Sequence, residues 1–289
     1  MSIKILQGNC LQTLSSLEEK SVNTCVTSPP YWGLRDYGTD DQLGQEETPE
    51  KFVESLVNVF REVRRVLRDD GTVWLNLGDS YLSNKQLGGI PWRVAFALQA
   101  DGWYLRQDII WHKLNLMPES VTDRCTKAHE YIFLLSKSPK YYYDYEAIKE
   151  KLSNPLRTNF ASGGIKISKN KNRNDQDLHQ RSKNMIFETR NKRSVWTVTT
   201  KPYSEAHFAT YPHDLIIPCI LAGCPEGGTV LDPFGGSGTT AQVASNLNRN
   251  AILCELNPEY VEIAKGRLHE SLGMFLDLTV DTPLTKENQ

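Results

Sequence analysis

One stretch near the C-terminus, VLDPFGGSGTTA at residues 230–241, constrains the fold more than any other part of the chain. An apolar strand runs into Asp232 and Pro233, then a glycine turn, then a helical run. Glycine lets a backbone turn sharply and approach a ligand closely, and the first turn of a helix offers unpaired N–H groups. Gly236, Gly238 and Ala241 satisfy the spacing Gly-x-Gly-x-x-Ala, and Glu255 ends the next strand at a suitable distance. A carboxylate there accepts hydrogen bonds from ribose hydroxyls, so the expected ligand is a cofactor that contains adenosine. The glycine pattern does not by itself name that cofactor. Asp232 and Pro233 argue against a dinucleotide, because an acid repels a pyrophosphate. An acid suits a ligand that carries an ammonium and a sulfonium.

The rest of the chain supplies an α/β frame for this turn. IKILQGNC, VNTCVTS, YLRQDIIWHK and HEYIFLLSKS read as strands, and DDGTVWLNLGD as a turn followed by a buried strand. PEKFVESLVNVFREVRRVL has helical apolar spacing behind a Thr48–Pro49 start, SLEEK reads as a short helical piece, and GGIPWRVAFALQADG as a helix closed by glycine. HDLIIPCILAGC is a further helix, and NAILCELNPEYVEIAKGRLHESL a strand and helix. Alternation of this kind predicts a mostly parallel, doubly wound sheet covered on both faces. The expected division is residues 1–148, a first half with the target loop at 27–38; 149–194, a polar insertion; 195–272, the cofactor half; and 273–289, a loosely ordered tail.

The 289-residue chain has a formal net charge of −2, which conceals an asymmetry. Residues 149–193 hold twelve Lys or Arg against four acids, so this block carries +8 and the remainder −10. Segregated basic charge predicts a polyanion partner or, more plainly, a solvated loop. Six cysteines are scattered without a Cys-x-x-Cys pair, which predicts a reduced protein with packing cysteines and no metal. No apolar run reaches membrane-spanning length and the start, MSIKILQGNC, has no signal pattern. A cytoplasmic location without a membrane partner is expected.

VTSPPYWGLRDYG, residues 26–38, supplies a second motif. Two prolines stiffen the chain after a buried strand. They hold together a small hydroxyl (Ser28), a backbone carbonyl (Pro29) and a ring (Tyr31). In a doubly wound sheet ligands bind beyond the carboxyl ends of strands, at the switch point. If the strands at NTCV and TVL are neighbours, this loop faces the cofactor. The amino group of a nucleobase is a poor nucleophile because its lone pair is delocalised. Two acceptors, the Ser28 side chain and the Pro29 carbonyl, can draw its N–H bonds toward a pyramidal geometry, while Tyr31 stacks on an extruded base.

TSPPYW together with DPFGGSGTT resembles the paired motifs of amino-group DNA methyltransferases, in the order of their beta group, whose target recognition region lies between the two. The resemblance runs from Ile5 to about Leu272. It implies a Rossmann-like, S-adenosylmethionine-dependent methyltransferase fold acting on double-stranded DNA by base flipping and direct displacement. It further implies that Ser28, Pro29, Pro30 and Tyr31 form the catalytic base pocket. Asp232, Phe234, Gly235, Gly236, Ser237, Gly238 and Thr239 hold the methionine end of the cofactor, and Glu255 takes its ribose. Phe208, Thr210 and Pro212 belong to a segment that closes over it. Asn9 and Cys10 fall where the family usually reads Gly-Asp and contacts adenine; here the acid is replaced by Asn9.

Within the resemblance, Ser before Pro-Pro-Tyr is more often similar to N4-cytosine enzymes, and Asp or Asn to N6-adenine enzymes. N4-cytosine methylation is therefore the expected activity, with N6-adenine methylation as the alternative and a non-catalytic DNA-binding relic as a reading from a different class. Enzymes of this chemistry that act on RNA or on a protein amide usually carry Asn there. Pro218–Cys219 imitates a C5-cytosine motif in two letters only, inside an apolar run that reads as core. DNA contacts are expected from Lys169, Lys171, Arg173, Arg181, Lys183, Arg190, Lys192 and Arg193 in the basic block. Lys113, at a strand end, and Arg35, in the proline loop, are expected to join them. A separately acting restriction endonuclease is the protein partner the resemblance suggests; the oligomeric state, monomer or homodimer, stays open.

Overall fold

The computed structural model describes residues 1–34, 36, 38–39, 41–116, 118–152, 188–200, 211–273 and 276–282. In chain order these form β1 (Ser2–Gln7), α1 (Cys10–Ser15), β2 (Val22–Thr27), α2 (Pro49–Val66), β3 (Leu67–Leu77), α3 (Ile90–Ala100), β4 (Tyr104–His112), β5 (His129–Ser136), β6 (Glu150–Lys151), β7 (Thr189–Arg190), β8 (Val195–Thr197), α4 (His213–Gly223), β9 (Thr229–Asp232), α5 (Thr239–Asn246), β10 (Asn250–Glu255), α6 (Pro258–Leu272) and β11 (Asp277–Asp281). The chain divides into a large unit, Met1–Asp144 with Ser194–Gln289, and a small one, Tyr145–Arg193.

The large unit is built on a nine-stranded sheet in the order β11-β1-β10-β9-β2-β3-β5-β4-β8. Its pairs are parallel except β3–β5 and β4–β5. Parallel strands covered on both faces bury both sets of side chains, and β3 from Gly71 to Leu77 is buried at every residue. Helix α2 shows how local sequence sets one covering element. The Thr48 hydroxyl caps it by accepting from the Lys51 amide at 3.3 Å, Pro49 occupies its first turn, and Arg64 and Arg65 sit in its last turn. Phe52, Leu56, Val59, Phe60, Val63 and Val66 recur at helical spacing and are all buried. Fully burying a side chain of this kind contributes about 1.5–3 kcal/mol, so this stripe anchors the helix to the sheet.

Three local readings differ from the structure. SLEEK is a turn; the helix lies one step earlier, at Cys10–Ser15, where the Asn9 side chain caps it by accepting from the Leu11 amide at 2.9 Å. Six residues are too few to show a helical period. The DDG stretch is not a separate turn but an irregularity inside β3, across which the partner register steps from Val22–Leu67 to Thr24–Thr72. Residues Asp277–Asp281, expected to be loosely ordered, form an edge strand parallel to β1. Their backbone satisfies hydrogen-bonding groups that β1 would otherwise expose at the sheet edge, a gain that leaves little trace in side-chain pattern.

Among its described residues the small unit contains one antiparallel pairing, Glu150 with Arg190 and Lys151 with Thr189. Glu150 gathers Arg190 at 3.1 Å, Arg193 at 3.2 Å and Lys192 at 3.9 Å. The three terminal cations of the basic block thus cluster on a single carboxylate. Among the described residues no helix is long and apolar enough to cross a membrane, and no group of His, Cys, Asp and Glu could hold a metal ion.

Candidate functional site

The condition set by the sequence is met: β2 and β9 are adjacent and parallel, with Thr24 beside Val230 and Cys25 beside Leu231. Their carboxyl ends therefore emerge together, bringing Ser28 next to the Asp232 turn across roughly two hundred residues of chain. A hydrogen bond ties the two ends, the Thr27 hydroxyl donating to Asp232 Oδ1 at 2.6 Å.

Asp232 is only 2% exposed. Its Oδ1 also accepts the Phe234 amide at 3.1 Å, and its Oδ2 accepts the Thr240 hydroxyl at 2.5 Å and the Tyr211 hydroxyl at 3.0 Å. Burial pushes its pKa up, and these donors partly oppose the shift. The glycines follow from packing. A Cβ on Gly235 would lie 2.8 Å from Leu253 Cβ. Gly238 caps α5 with φ +83°, and a Cβ there would lie 3.1 Å from Ala264 Cβ. Arg267 of α6 fastens the turn by donating to the Ser237 carbonyl at 2.7 Å and to its hydroxyl.

Beside this turn lies a cavity of about 260 Å³. Asn9, Cys10, Phe234, Gly236, Ser237 and Glu255 border it, as do Ser28 and Pro30. Glu255 closes β10 with both oxygens held, Oε2 by the Gly236 amide at 2.7 Å and Oε1 by the Asn257 amide at 2.8 Å. Burial raises its pKa, and those two amides lower it in part. Burial also pushes the Cys10 thiol up to about 12, so it stays a protonated wall group. A second cavity of about 60 Å³ is bordered by Tyr211, Asp232, Gly235, Thr239 and Thr240. Ser28, Phe234, Gly236 and Ser237 border both cavities. The described residues bordering the two cavities include the acids Asp41, Asp232 and Glu255 and no Lys or Arg. Such a wall repels a phosphate and attracts a cation, so the donor set fits a sulfonium–ammonium ligand and not a dinucleotide.

The target loop has a polar back wall. Tyr31 donates its hydroxyl to Glu130 Oε2 at 2.7 Å and accepts from Asn76 Nδ2 at 2.8 Å and from the Ser28 hydroxyl at 3.3 Å. Gly78 leaves room for the Tyr31 ring: a Cβ there would lie 2.5 Å from Tyr31 Cε2. Part of that ring is thus covered by backbone. Pro29 is buried and borders neither cavity. Trp32 donates to the Glu46 carbonyl at 2.8 Å, pinning the far arm of the loop.

Lys113, expected among the DNA contacts, is ion-paired with Glu130, its ammonium 4.2 Å from the Trp111 ring centre. Pro212 caps α4 and borders neither cavity; its neighbour Tyr211 does the work at Asp232. Cys219 is buried within α4, with its thiol directed to the Leu215 carbonyl, so it is the core cysteine its apolar setting indicated. Arg35, Lys169, Lys171, Arg173, Arg181, Lys183, Phe208 and Thr210 lie outside the described residues. Sequence reasoning does not single out Asn76, Glu130 and Tyr211 as site residues. The only signal for Glu130 is an acid opening an otherwise apolar strand, HEYIFLLS.

Comparison with known proteins agrees with this geometry. The chain is 46% identical over 292 residues to the type II methyltransferase M.Cfr9I of Citrobacter freundii, covering 91% of this chain and 87% of that protein. It is 44% identical over 295 residues to the type II methyltransferase M.SmaI of Serratia marcescens, covering 92% and 91%. Among solved structures, a putative DNA modification methylase of Thermus thermophilus in complex with S-adenosyl-L-methionine superposes with a TM-score of 0.65 at 25% identity, covering 97% of this chain and 100% of that one. The cytosine-N4-specific PvuII DNA methyltransferase shares the fold, with a TM-score of 0.70 at 20% identity over 99% and 89%. A family model for DNA methylases of the N6/N4 type matches residues 22–266, and the chain belongs to that family.

Proposed function

We propose that the protein transfers a methyl group from S-adenosylmethionine to the N4 amino group of cytosine in double-stranded DNA. The observation that carries this reading is Ser28, which borders both cavities and stands where the acidic cofactor wall meets the target loop. When bound, the cofactor supplies an electrophilic methyl on a positively charged sulfur. Glu255 would take its ribose hydroxyls, and the Asp232 turn would face its cationic end. Ser28 and the Pro29 carbonyl would accept the two amino hydrogens of a base turned out of the duplex, which concentrates the nitrogen lone pair toward the methyl. Holding the two reactants in line is itself a large part of such catalysis.

Support for cytosine over adenine comes from the residue before the prolines, Ser28, and from the cytosine-N4-specific enzyme that shares this fold. Residues 149–194, with Arg190, Lys192 and Arg193 forming a net-positive cluster, are assigned to reading and gripping the target. Expressing the gene in a host without DNA methylation, then measuring nucleosides by mass spectrometry, tests the reading. N4-methyl-2′-deoxycytidine is the expected product; N6-methyl-2′-deoxyadenosine in its place would overturn the choice of base, and no modified nucleoside would overturn the function.

A further inference from the structure

Direct displacement at an amino nitrogen leaves one proton too many, and the back wall of the target loop contains a group able to receive it. Glu130, near the start of β5, has a side chain 16% exposed. It lies at the end of an ordered set of hydrogen bonds. Ser28 gives its one hydroxyl hydrogen to Tyr31 at 3.3 Å, and Tyr31 gives its one hydroxyl hydrogen to Glu130 Oε2 at 2.7 Å. Both hydrogens are thus directed along the path that ends at the carboxylate. Ser28 borders both cavities, and with its hydrogen committed to Tyr31 its oxygen keeps acceptor capacity. Asn76, only 4% exposed, braces all three groups, its Nδ2 lying 3.3 Å from Ser28 Oγ, 2.8 Å from the Tyr31 hydroxyl and 3.1 Å from Glu130 Oε2. Lys113 holds the other carboxylate oxygen, Oε1, which leaves Oε2 for the tyrosine.

We propose that Ser28, Tyr31 and Glu130 form a proton relay that removes the amino proton during methyl transfer, with Glu130 as the final acceptor and Lys113 and Asn76 as positioning residues. The nitrogen lone pair forms the new N–CH₃ bond, and the S–CH₃ bonding pair stays on sulfur. One N–H bond breaks and its electrons return to nitrogen. That proton passes to Ser28 Oγ, the Ser28 proton to the Tyr31 oxygen, and the Tyr31 proton to Glu130 Oε2. The positive charge of the sulfonium and the negative charge of the carboxylate disappear together, and the base begins and ends neutral. Partial exposure of Glu130 gives the proton a way out to water between turnovers. The relay rests on amino-methyl transfer as proposed above but not on which base carries the amino group.

The test uses the full chain and unmethylated duplex DNA from a methylation-free host. Tritium transfer from labelled S-adenosylmethionine is followed in a single turnover between pH 6 and 9, for the wild type, Glu130→Gln, Tyr31→Phe and the double variant. A positioned general base contributes about 10²–10⁴-fold, so each single variant is expected to lose at least about 10²-fold. The double variant should lose no more than about threefold beyond the worse single, because the two residues act as one path. Cofactor affinity by calorimetry and duplex affinity without cofactor should stay within about twofold of wild type, a readout independent of turnover. Tyr31→Phe removes one oxygen atom and keeps the test open if the Gln variant does not fold. Variants within about threefold of an active wild type, or losses that multiply in the double variant, would overturn the relay alone. A wild type that transfers no label to DNA would overturn the function and the relay with it.

Discussion

Gly78→Ala should disable the enzyme without touching a single polar group. A Cβ at this position would lie 2.5 Å from Tyr31 Cε2, 2.9 Å from Cδ2 and 3.3 Å from Cζ. Non-bonded carbons rest at about 3.5–4.0 Å, so the ring must retreat by about 1 Å. Tyr31 follows two prolines whose own φ is fixed, which stiffens the chain leading into it, and the displacement therefore falls mainly on the side chain. Its hydroxyl, now 2.7 Å from Glu130 and 2.8 Å from Asn76, would move toward or past the limit of hydrogen bonding. Misplacement of reacting groups by about 1 Å costs about 10²-fold in rate. Overpacking costs about 1–3 kcal/mol of stability, small enough against the usual about 5–15 kcal/mol for the variant to fold. The assay is single-turnover tritium transfer to duplex DNA beside calorimetric titration with S-adenosylmethionine. Neither Gly78 nor Tyr31 borders the large cavity, so cofactor affinity should hold within about twofold while the rate falls. A variant at the wild-type rate, or one whose rate loss tracks lost cofactor affinity, would refute the reasoning. Adding Tyr31→Phe to Gly78→Ala should produce little further loss, since both act on one hydroxyl.

Three other outcomes are expected. Glu255→Ala should weaken S-adenosylmethionine binding by about 1.5–3 kcal/mol, the range for hydrogen bonds to a charged group; an unchanged dissociation constant in calorimetry would remove Glu255 from the ribose site. Asp232 has a native pKa above its ordinary value because of burial. Between the two values the native state binds more protons than the unfolded state, so stability drops as pH rises through that window. Relative to Asp232→Asn, the wild type should therefore lose urea resistance as pH climbs above the ordinary carboxylate range, and a flat or rising difference would contradict the sign. Replacing Lys169, Lys171 and Arg173 together by Ala should reduce the slope of log DNA affinity against log salt by up to about 3, at about 0.9 per phosphate contact; a wild-type slope would assign that stretch to solvent.

What the sequence reveals of this site is what local chemistry enforces. The glycines of residues 235–238 are legible because packing against Leu253 and Ala264 and a left-handed backbone at Gly238 leave no room for alternatives. The strand-end rule then brings Ser28 to Asp232 once β2 and β9 are taken as neighbours, and they are. Asn76, Glu130 and Lys113 are not legible as a unit, because each belongs to a different strand or strand end and the unit exists only through the antiparallel pairings of β5 with β3 and β4. In sequence each is one polar residue in or beside an apolar strand, which is also how a strand end at the surface looks. Lys113 shows the cost: read by itself it is a strand-end cation, and only the register that sets it near Glu130 reveals the ion pair. The edge strand β11 escapes for a related reason, since backbone pairing with β1 needs no particular side chains.

The position of β2 in the sheet accounts for how these parts act together. It lies between β9 and β3, so the loop that follows it is flanked on one side by the cofactor turn and on the other by the strands that carry Asn76 and Glu130. Hydrogen bonds reach both ways: Thr27 to Asp232 at 2.6 Å on one side, and Tyr31 to Glu130 at 2.7 Å with Asn76 to Tyr31 at 2.8 Å on the other. The two carboxylates are kept apart in chemistry as well as in space. Asp232 is saturated by four neutral donors in a buried setting, which suits a fixed charge that faces a cationic ligand. Glu130 is partly exposed, which suits a group that exchanges a proton with water, while its salt bridge to Lys113 holds it in place. On the proposed reaction, positive charge enters from the β9 side and the proton leaves from the β3–β5 side, with Ser28 at the boundary. A small residue with a rotatable hydroxyl meets that requirement: it accepts from the base and donates to Tyr31 at the same time. Ser28→Ala should accordingly lose both the acceptor and the relay, and fall at least as far as Glu130→Gln, whereas Ser28→Thr, which retains the hydroxyl, should lose less if its added methyl is accommodated. If Ser28→Ala were instead faster than Glu130→Gln, the proton would have to leave by a path that does not pass through Ser28, and the order of donors from Ser28 to Glu130 would need another explanation.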